Sequence, residues 1–99
     1  MNYLISQEAL QDLENIWLYT YENWSLEQAD RYYSLIMDEI EYLADNPDSG
    51  SDCGDVIEGY FYSRVKSHFI FYKINKNIEG IEVIRILHQK MDIQFRLKQ

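Results

Sequence analysis

The sequence predicts an α+β fold in which a helical hairpin packs on one face of a small, mainly antiparallel sheet. Apolar residues recur at helical spacing through the first half of the chain, and this pattern ends at Pro47. In the second half, three short runs of β-branched and aromatic residues indicate strands. With an extended segment at the start, the element order is β-α-α-β-β-β. The 99 residues suffice for one hydrophobic core, so we expect a single domain over residues 1–99.

The first helix is predicted from about Gln7 to Trp24, after an extended start at residues 2–5. Ser6 can cap its N-terminus, and Glu8 lies in the first turn, where a negative charge interacts favourably with the helix dipole. We expect one apolar stripe of this helix to face the core, formed by Leu10, Leu13, Trp17, Tyr21 and Trp24.

A second helix is predicted to begin almost where the first ends, which makes the pair a hairpin. Ser25 and Gln28 have the spacing of a capping box, in which the serine caps the new helix. The helix ends before Pro47, because proline biases the preceding residue away from helical backbone. Its predicted core residues are Ala29, Tyr32, Tyr33, Ile36, Ile40 and Leu43.

The second half of the chain is predicted to be a crossover loop followed by a three-stranded meander. Residues 47–58 are rich in Asp, Ser and Gly, which favours an ordered loop. The strands cover residues 60–65, 68–74 and 81–88, and the short segments between them are predicted to form hairpin connections.

Two of these strands are apolar on both faces. Simple alternation places Phe69 and Phe71 on one face and Ile70, Tyr72 and Ile74 on the other. In the last strand, it places Ile81, Val83 and Leu87 opposite Ile84 and Ile86. Two helices cover only one face of a sheet, so the second face needs a curled sheet or a binding partner. We favour a binding partner.

Charge is distributed unevenly along the chain. Residues 1–58 hold 14 acidic residues and one basic residue, Arg31, whereas residues 59–99 hold three acidic and eight basic residues. The total of −8 argues against non-specific binding of nucleic acid. No apolar run approaches the length of a membrane-spanning helix, and the first residues lack the features of a signal peptide. We expect a cytoplasmic protein.

The residues with catalytic potential are few. His68 and His88 lie on neighbouring predicted strands, and with Arg64 or Arg85 they could act on a phosphodiester by acid–base chemistry. A histidine at a strand end more often has a structural role. The sequence has no phosphate-binding loop and no nucleophile elbow, and Cys53 has acidic neighbours that disfavour its thiolate. We therefore predict no enzymatic site, no metal and no cofactor.

With these motifs in place, the chain resembles the ParE branch of the RelE/ParE toxin superfamily over nearly its whole length. The last of the matching blocks is the most specific. The blocks are Ser6-x-x-Ala9-x-x-Asp12-Leu13-x-x-Ile16, Ala29-x-x-Tyr32, Leu43-x-x-Asn46-Pro47-x-x-Gly50, Gly59-Tyr60, Ser67-His68-Phe69-Ile70-Phe71-Tyr72 and Ile84-x-Ile86-Leu87-His88-x-x-Met91-Asp92.

The resemblance implies the toxin component of a type II toxin–antitoxin system, neutralised by a ParD-like antitoxin and acting on DNA gyrase by binding. The RelE-like branch, which cuts messenger RNA on the ribosome, is the first alternative. In that branch an arginine commonly follows the position of His68, where this chain has Phe69. Arg64 and Arg85 could substitute for it. A degenerate member that binds only the antitoxin is the other alternative.

Two groups of residues are assigned to these expected partners. ParE-like toxins are typically basic or near neutral, so the acidic hairpin of this chain is a departure. We expect the acidic hairpin to face solvent or basic antitoxin groups, and the basic sheet and C-terminal tail to face the target. For antitoxin contact we predict Trp17, Tyr21, Trp24, Tyr33, Met37, Phe69 and Phe71. For target contact we predict Arg64, Arg85, His88, Met91, Asp92 and Arg96.

Overall fold

A computed structural model describes residues 2–98 and has the predicted α+β architecture. Two long helices pack against a five-stranded sheet, and a short third helix follows the last strand. In chain order the elements are β1 (Asn2–Ile5), α1 (Gln7–Asn23), α2 (Leu26–Asp45), β2 (Ser51–Asp52), β3 (Tyr60–Val65), β4 (His68–Asn75), β5 (Gly80–His88) and α3 (Ile93–Leu97).

The predicted caps start both long helices. The side chain of Ser6 accepts a hydrogen bond from the backbone N–H of Ala9, and that of Ser25 accepts one from Gln28. Each serine satisfies a donor that has no partner inside its helix. Trp24 is the only residue between the last residue of α1 and the cap of α2, so the two helices form a tight hairpin.

The apolar stripe predicted for α1 was largely wrong. Ala9 and Leu13 are its buried residues, whereas Leu10 is 52% exposed and Trp24 is 65% exposed. The face of α1 that packs on the core is therefore different from the predicted one. The prediction relied on large apolar residues, whereas the small side chain of Ala9 allows close packing at the core. The core residues predicted for α2 agree better with the structure: Ala29, Ile36, Ile40 and Leu43 are buried, although Tyr33 is 42% exposed.

The sheet contains one strand more than the sequence predicted. Its order is β1-β5-β4-β3-β2, with β1 parallel to β5 and the remaining pairs antiparallel. The additional strand, β2, is only two residues long and lies within the predicted crossover loop. Tyr72 holds the start of this loop, since its hydroxyl donates to the carbonyl of Pro47 and accepts from the N–H of Gly50.

A β-bulge in β5 changes which residues of that strand lie on each face of the sheet. Phe71 pairs with Arg85 and Tyr72 pairs with Val83, so Ile84 is left without a partner in the register. The extra residue changes the alternation. Val83 and Ile86 consequently join the same core under the helices, and Leu87 joins the opposite face, which simple alternation did not predict.

The second apolar face of the sheet is covered by the chain itself. Phe71 and Leu87 are 2% and 0% exposed and pack with Cys53 from the crossover loop and Leu97 from α3. The expectation that a partner covers this face was therefore wrong for these residues. The expectation was wrong because the loop and the short C-terminal helix contribute side chains to a second hydrophobic cluster. Neither segment has a strong periodic pattern in the sequence.

Candidate functional site

The candidate site is a cleft of about 1000 Å³ between the helical hairpin and one end of the sheet. Its walls come from α1, α2, the turn between β3 and β4, the end of β5 and the C-terminal segment. The lining residues are Glu8, Gln11, Asp12, Asn15, Ile16, Tyr19, Thr20, Trp24, Gln28, Arg31, Tyr32, Leu35, Lys66, Ser67, His68, Arg85, Ile86, His88, Met91 and Arg96.

An ion pair between α1 and β5 fixes one wall of the cleft. Asp12 accepts two hydrogen bonds from the Arg85 guanidinium, at 2.8 and 3.0 Å, and a third from the backbone N–H of Ile86 at 2.9 Å. Their side chains are only 12% and 16% exposed. The hydrogen bonds that Arg85 donates to Asp12 raise the pKa of Arg85 above its ordinary value. Arg85 is thus a charged but already paired side chain.

Two histidines and a tyrosine form a polar cluster in the cleft. His68 and His88 are directly opposite each other on β4 and β5, with ring centroids 5.0 Å apart. The hydroxyl of Tyr32 lies 2.6 Å from Nδ1 of His68 and 3.2 Å from the carbonyl oxygen of Val65. Burial, reinforced by the neighbouring His88, lowers the pKa of His68 to about 4. His68 is therefore neutral at pH 7.

The structure brings four of the six predicted target residues into this cleft. Arg85, His88, Met91 and Arg96 all line it. Arg64 instead donates hydrogen bonds to the carbonyl of Lys66 and to the side chain of Gln89, and its guanidinium lies 5.8 Å from the ring centroid of Phe69. Asp92 accepts a hydrogen bond from the N–H of Phe95 and caps α3.

The residues predicted for antitoxin contact are dispersed over the molecule. Trp24 is the one that lines the cleft. Trp17 and Tyr21 stack on α1 with centroids 5.4 Å apart, and Trp17 donates a hydrogen bond to Asp30. Tyr33 is exposed on α2, whereas Met37 packs against the core beneath the helices.

One of the two sheet residues of that prediction, Phe71, needs a correction. Phe71 is 2% exposed and lies inside the second hydrophobic cluster, so it offers no surface to a partner. Phe69 is partly buried against the same cluster. The alternation of strand residues identified their shared face correctly, but it gave no sign of the loop and helix that cover it.

Several cleft residues received no functional role from the sequence. Asp12 and Tyr32 stand at positions that match the family resemblance, and Lys66 lies in a predicted connection between two strands; all three line the cleft. For Asp12 the sequence did contain a clue, because a carboxylate on the inner side of α1 needs a hydrogen-bonding or charged partner when it is buried. No sequence pattern pointed to Lys66, because the tight turn alone brings it to the cleft.

Other chemistry is sparse in the part of the chain that the structure describes. Cys53 is buried, and burial together with Asp52 and Asp55 raises the pKa of its thiol. Across residues 2–98, no three side chains of His, Cys, Asp or Glu lie together in a way that could hold a metal ion. Within the same range, no helix has both the length and the apolar character that crossing a bilayer requires.

Comparisons with known proteins identify the family. The family model described as the ParE toxin of type II toxin–antitoxin systems, parDE, matches residues 3–93. The chain is 38% identical over 96 residues to Toxin ParE1 of Mycobacterium tuberculosis, and 34% identical over 95 residues to Toxin ParE1 of Caulobacter vibrioides. Each alignment covers 96% of both chains.

A third relative and one solved structure agree with this result. Toxin ParE of Escherichia coli is 30% identical over 95 residues, covering 96% of this chain and 91% of that protein. A solved structure described as a chromosomal ParDE TA system from P. aeruginosa matches with a TM-score of 0.76 and 16% identity, over 89% of this chain and 95% of the other, which supports the fold. The chain therefore belongs to the ParE family of toxins of type II toxin–antitoxin systems.

Proposed function

We propose that this toxin acts in the cytoplasm by binding DNA gyrase, and that a ParD-like antitoxin neutralises it by binding the toxin. The observation that carries the proposal is the cleft, which gathers Arg85, His88, Met91 and Arg96 from β5 and the C-terminal segment. These residues are far apart from Trp24 in sequence and share one surface with it. A concave, partly apolar surface of this kind is suited to holding a segment of another protein.

The arrangement of charges supports binding rather than catalysis. A phosphodiester-cleaving site needs a cation placed to stabilise charge on phosphate as the reaction proceeds. Arg85 donates from Nε and Nη2 to Asp12, and Arg64 is hydrogen-bonded to Lys66 and Gln89, so each of the two arginines considered for that role is already engaged. The low pKa of His68 makes it a poor proton donor at neutral pH.

An antitoxin would neutralise the toxin by binding in the same cleft as the target. Trp24, predicted for the antitoxin, and Arg96, predicted for the target, both line it. An antitoxin segment seated there would cover target-contacting groups directly. The P. aeruginosa structure, described as a ParDE system, supports an antitoxin of the ParD type for this fold.

The proposal is tested by inducing the toxin in bacteria without an antitoxin and measuring growth, gyrase supercoiling and gyrase cleavage complexes. We expect growth arrest with inhibited supercoiling, and reduced toxicity for Arg96→Glu. The matched control is Lys76→Glu, which makes the same charge change at an exposed residue outside the cleft. Growth arrest with intact supercoiling would overturn gyrase as the target, and ribosome-dependent messenger RNA cleavage would overturn action by binding alone.

A further inference from the structure

The turn that follows β5 is shaped by two hydrogen bonds to one residue, His88. The backbone N–H of Met91 donates to the His88 carbonyl at 3.0 Å, which closes the turn. The backbone N–H of Lys90 donates to Nδ1 of the His88 ring, also at 3.0 Å. The imidazole is thus an acceptor for a backbone donor two residues further on, a role that Asn and Asp side chains commonly have in turns.

Only the neutral form of the His88 ring can accept this hydrogen bond. A neutral imidazole has one bare nitrogen and one N–H, so accepting at Nδ1 places the ring proton of His88 on Nε2. Protonation makes both ring nitrogens donors. An N–H at Nδ1 would point at the N–H of Lys90, so the hydrogen bond would be lost and the two donors would repel each other.

The surroundings of His88 also oppose a positive charge on its ring. His68, directly opposite with its ring centroid 5.0 Å away, is neutral at pH 7 and supplies no counter-charge. Among the charged side chains of the cleft, four are basic and two are acidic, so their balance is positive and repels a further positive charge. These side chains are Glu8 and Asp12 from α1, Arg31 from α2, Lys66 from the turn before β4, Arg85 from β5 and Arg96 from α3, and the other titratable ones are Tyr19 and Tyr32.

The segment that begins at this turn reaches both faces of the sheet. Met91 and Arg96 line the cleft, whereas Leu97 is 7% exposed and packs in the second hydrophobic cluster with Cys53 and Phe71. The helix α3 has five residues, which is too short for an isolated helix to be stable in water. Its position therefore depends on the burial of Leu97 and on the turn that precedes it.

We propose that His88 is a pH-sensitive latch for the C-terminal segment, closed while its ring accepts from Lys90 and opened by protonation of the ring. The closed state binds one proton fewer than the open state, so acidification favours opening. Imidazoles titrate between about pH 5 and 8, so mild acid is sufficient. Opening releases residues 90–97, withdraws Met91 and Arg96 from the cleft wall and uncovers the second hydrophobic cluster. The latch is a property of the fold and does not rest on the proposed function.

Cys53 provides a natural probe of opening, because it is the only cysteine of the chain and is buried in the cluster that Leu97 seals. Its reaction with a pyridyl disulfide is timed from about pH 8 to about pH 5 in the wild type and in His88→Asn. The asparagine amide can accept from the Lys90 N–H but does not titrate. Dividing the two rates at each pH cancels the effect of pH on the thiol itself. We expect the ratio of wild-type to variant rate to rise about three- to tenfold on acidification, as for the loss of one hydrogen bond.

Hydrogen exchange distinguishes local opening from global unfolding. The Arg96 N–H donates to the carbonyl of Asp92 at the start of α3, whereas Ile40 is buried on α2. In the wild type, we expect acidification to reduce protection of the Arg96 amide more than that of Ile40, after correction for intrinsic exchange. His88→Ser, whose hydroxyl can also accept within the turn, is a second variant that does not titrate. A rate ratio that does not change with pH, or equal losses of protection at Arg96 and Ile40, would overturn the latch.

Discussion

The ion pair between Asp12 and Arg85 gives a sharp test of how the cleft is held together. Asp12→Ala removes three hydrogen-bond acceptor contacts and leaves the Arg85 guanidinium and the Ile86 N–H without this partner. Removing one member of a buried ion pair costs about 3–5 kcal/mol. Because the two side chains are still 12% and 16% exposed, we expect a destabilisation at the lower end of this range, about 3 kcal/mol.

A loss of about 3 kcal/mol is a large part of the 5–15 kcal/mol that stabilises a typical domain. In a chain of this size it lowers the Tm by roughly 12 °C or more. The assay is urea unfolding followed by circular dichroism. Urea is uncharged and does not raise the ionic strength, so it leaves the ion pair unscreened.

Glu14→Ala is the matched control for that prediction. Glu14 is an exposed carboxylate on the same helix, and its loss should change the free energy of unfolding by no more than about 0.5 kcal/mol. The double variant Asp12→Ala/Arg85→Ala should cost less than the two single changes added together, since the pair is then removed as a unit. A loss below about 1 kcal/mol for Asp12→Ala, or strict additivity, would refute the coupling of α1 to β5 through this pair.

Three further predictions concern the histidine cluster, the loop and the second hydrophobic cluster. Because the pKa of His68 is lowered from 6.5 to about 4 in the fold, the unfolded state binds more protons between these values, and stability is lost as pH falls through that window. The urea midpoint should therefore fall more steeply with acidification in the wild type than in His68→Gln; parallel curves would contradict this. Tyr72→Phe removes the bonds to Pro47 and Gly50 and should cost about 1–3 kcal/mol in urea unfolding, and a neutral effect would show that the hydroxyl does not hold the loop. Leu97→Ala should cost about 2–3 kcal/mol and increase binding of a hydrophobic dye, whereas unchanged dye binding would mean that α3 does not seal the second cluster.

The main elements of the fold could be predicted because their signals are local. Ser6 and Ser25 mark helix starts, and Pro47 marks a helix end, through the hydrogen bonding of their own neighbourhoods. The strand β2 has no such signal, since two residues show no period and pair only because β3 lies beside them. The bulge at Ile84 is also a property of paired strands and is absent from the pattern of β5 alone.

The candidate site could be predicted only in part, because it is assembled by tertiary packing. The approach of His68 to His88 followed from antiparallel neighbouring strands, and the structure confirms it. The cleft also needs Lys66, whose backbone has a φ of +53° at the tight turn, and Asp12, which is more than seventy positions from Arg85. Neither placement can be obtained from spacing along one element.

The C-terminal segment links the two faces of the sheet and changes where a partner is expected. Leu97 seals Phe71 and Leu87 on the second face, while Met91 and Arg96, a few residues away, form part of the cleft on the helical side. The apolar residues of β4 are therefore buried largely by the chain itself, so they do not require a partner on that face. Accessible apolar groups remain in the cleft, so a partner that binds Met91 and Arg96 would also hold α3 against the second cluster. We accordingly expect cleft binding to raise stability and to slow exchange of the Leu97 amide.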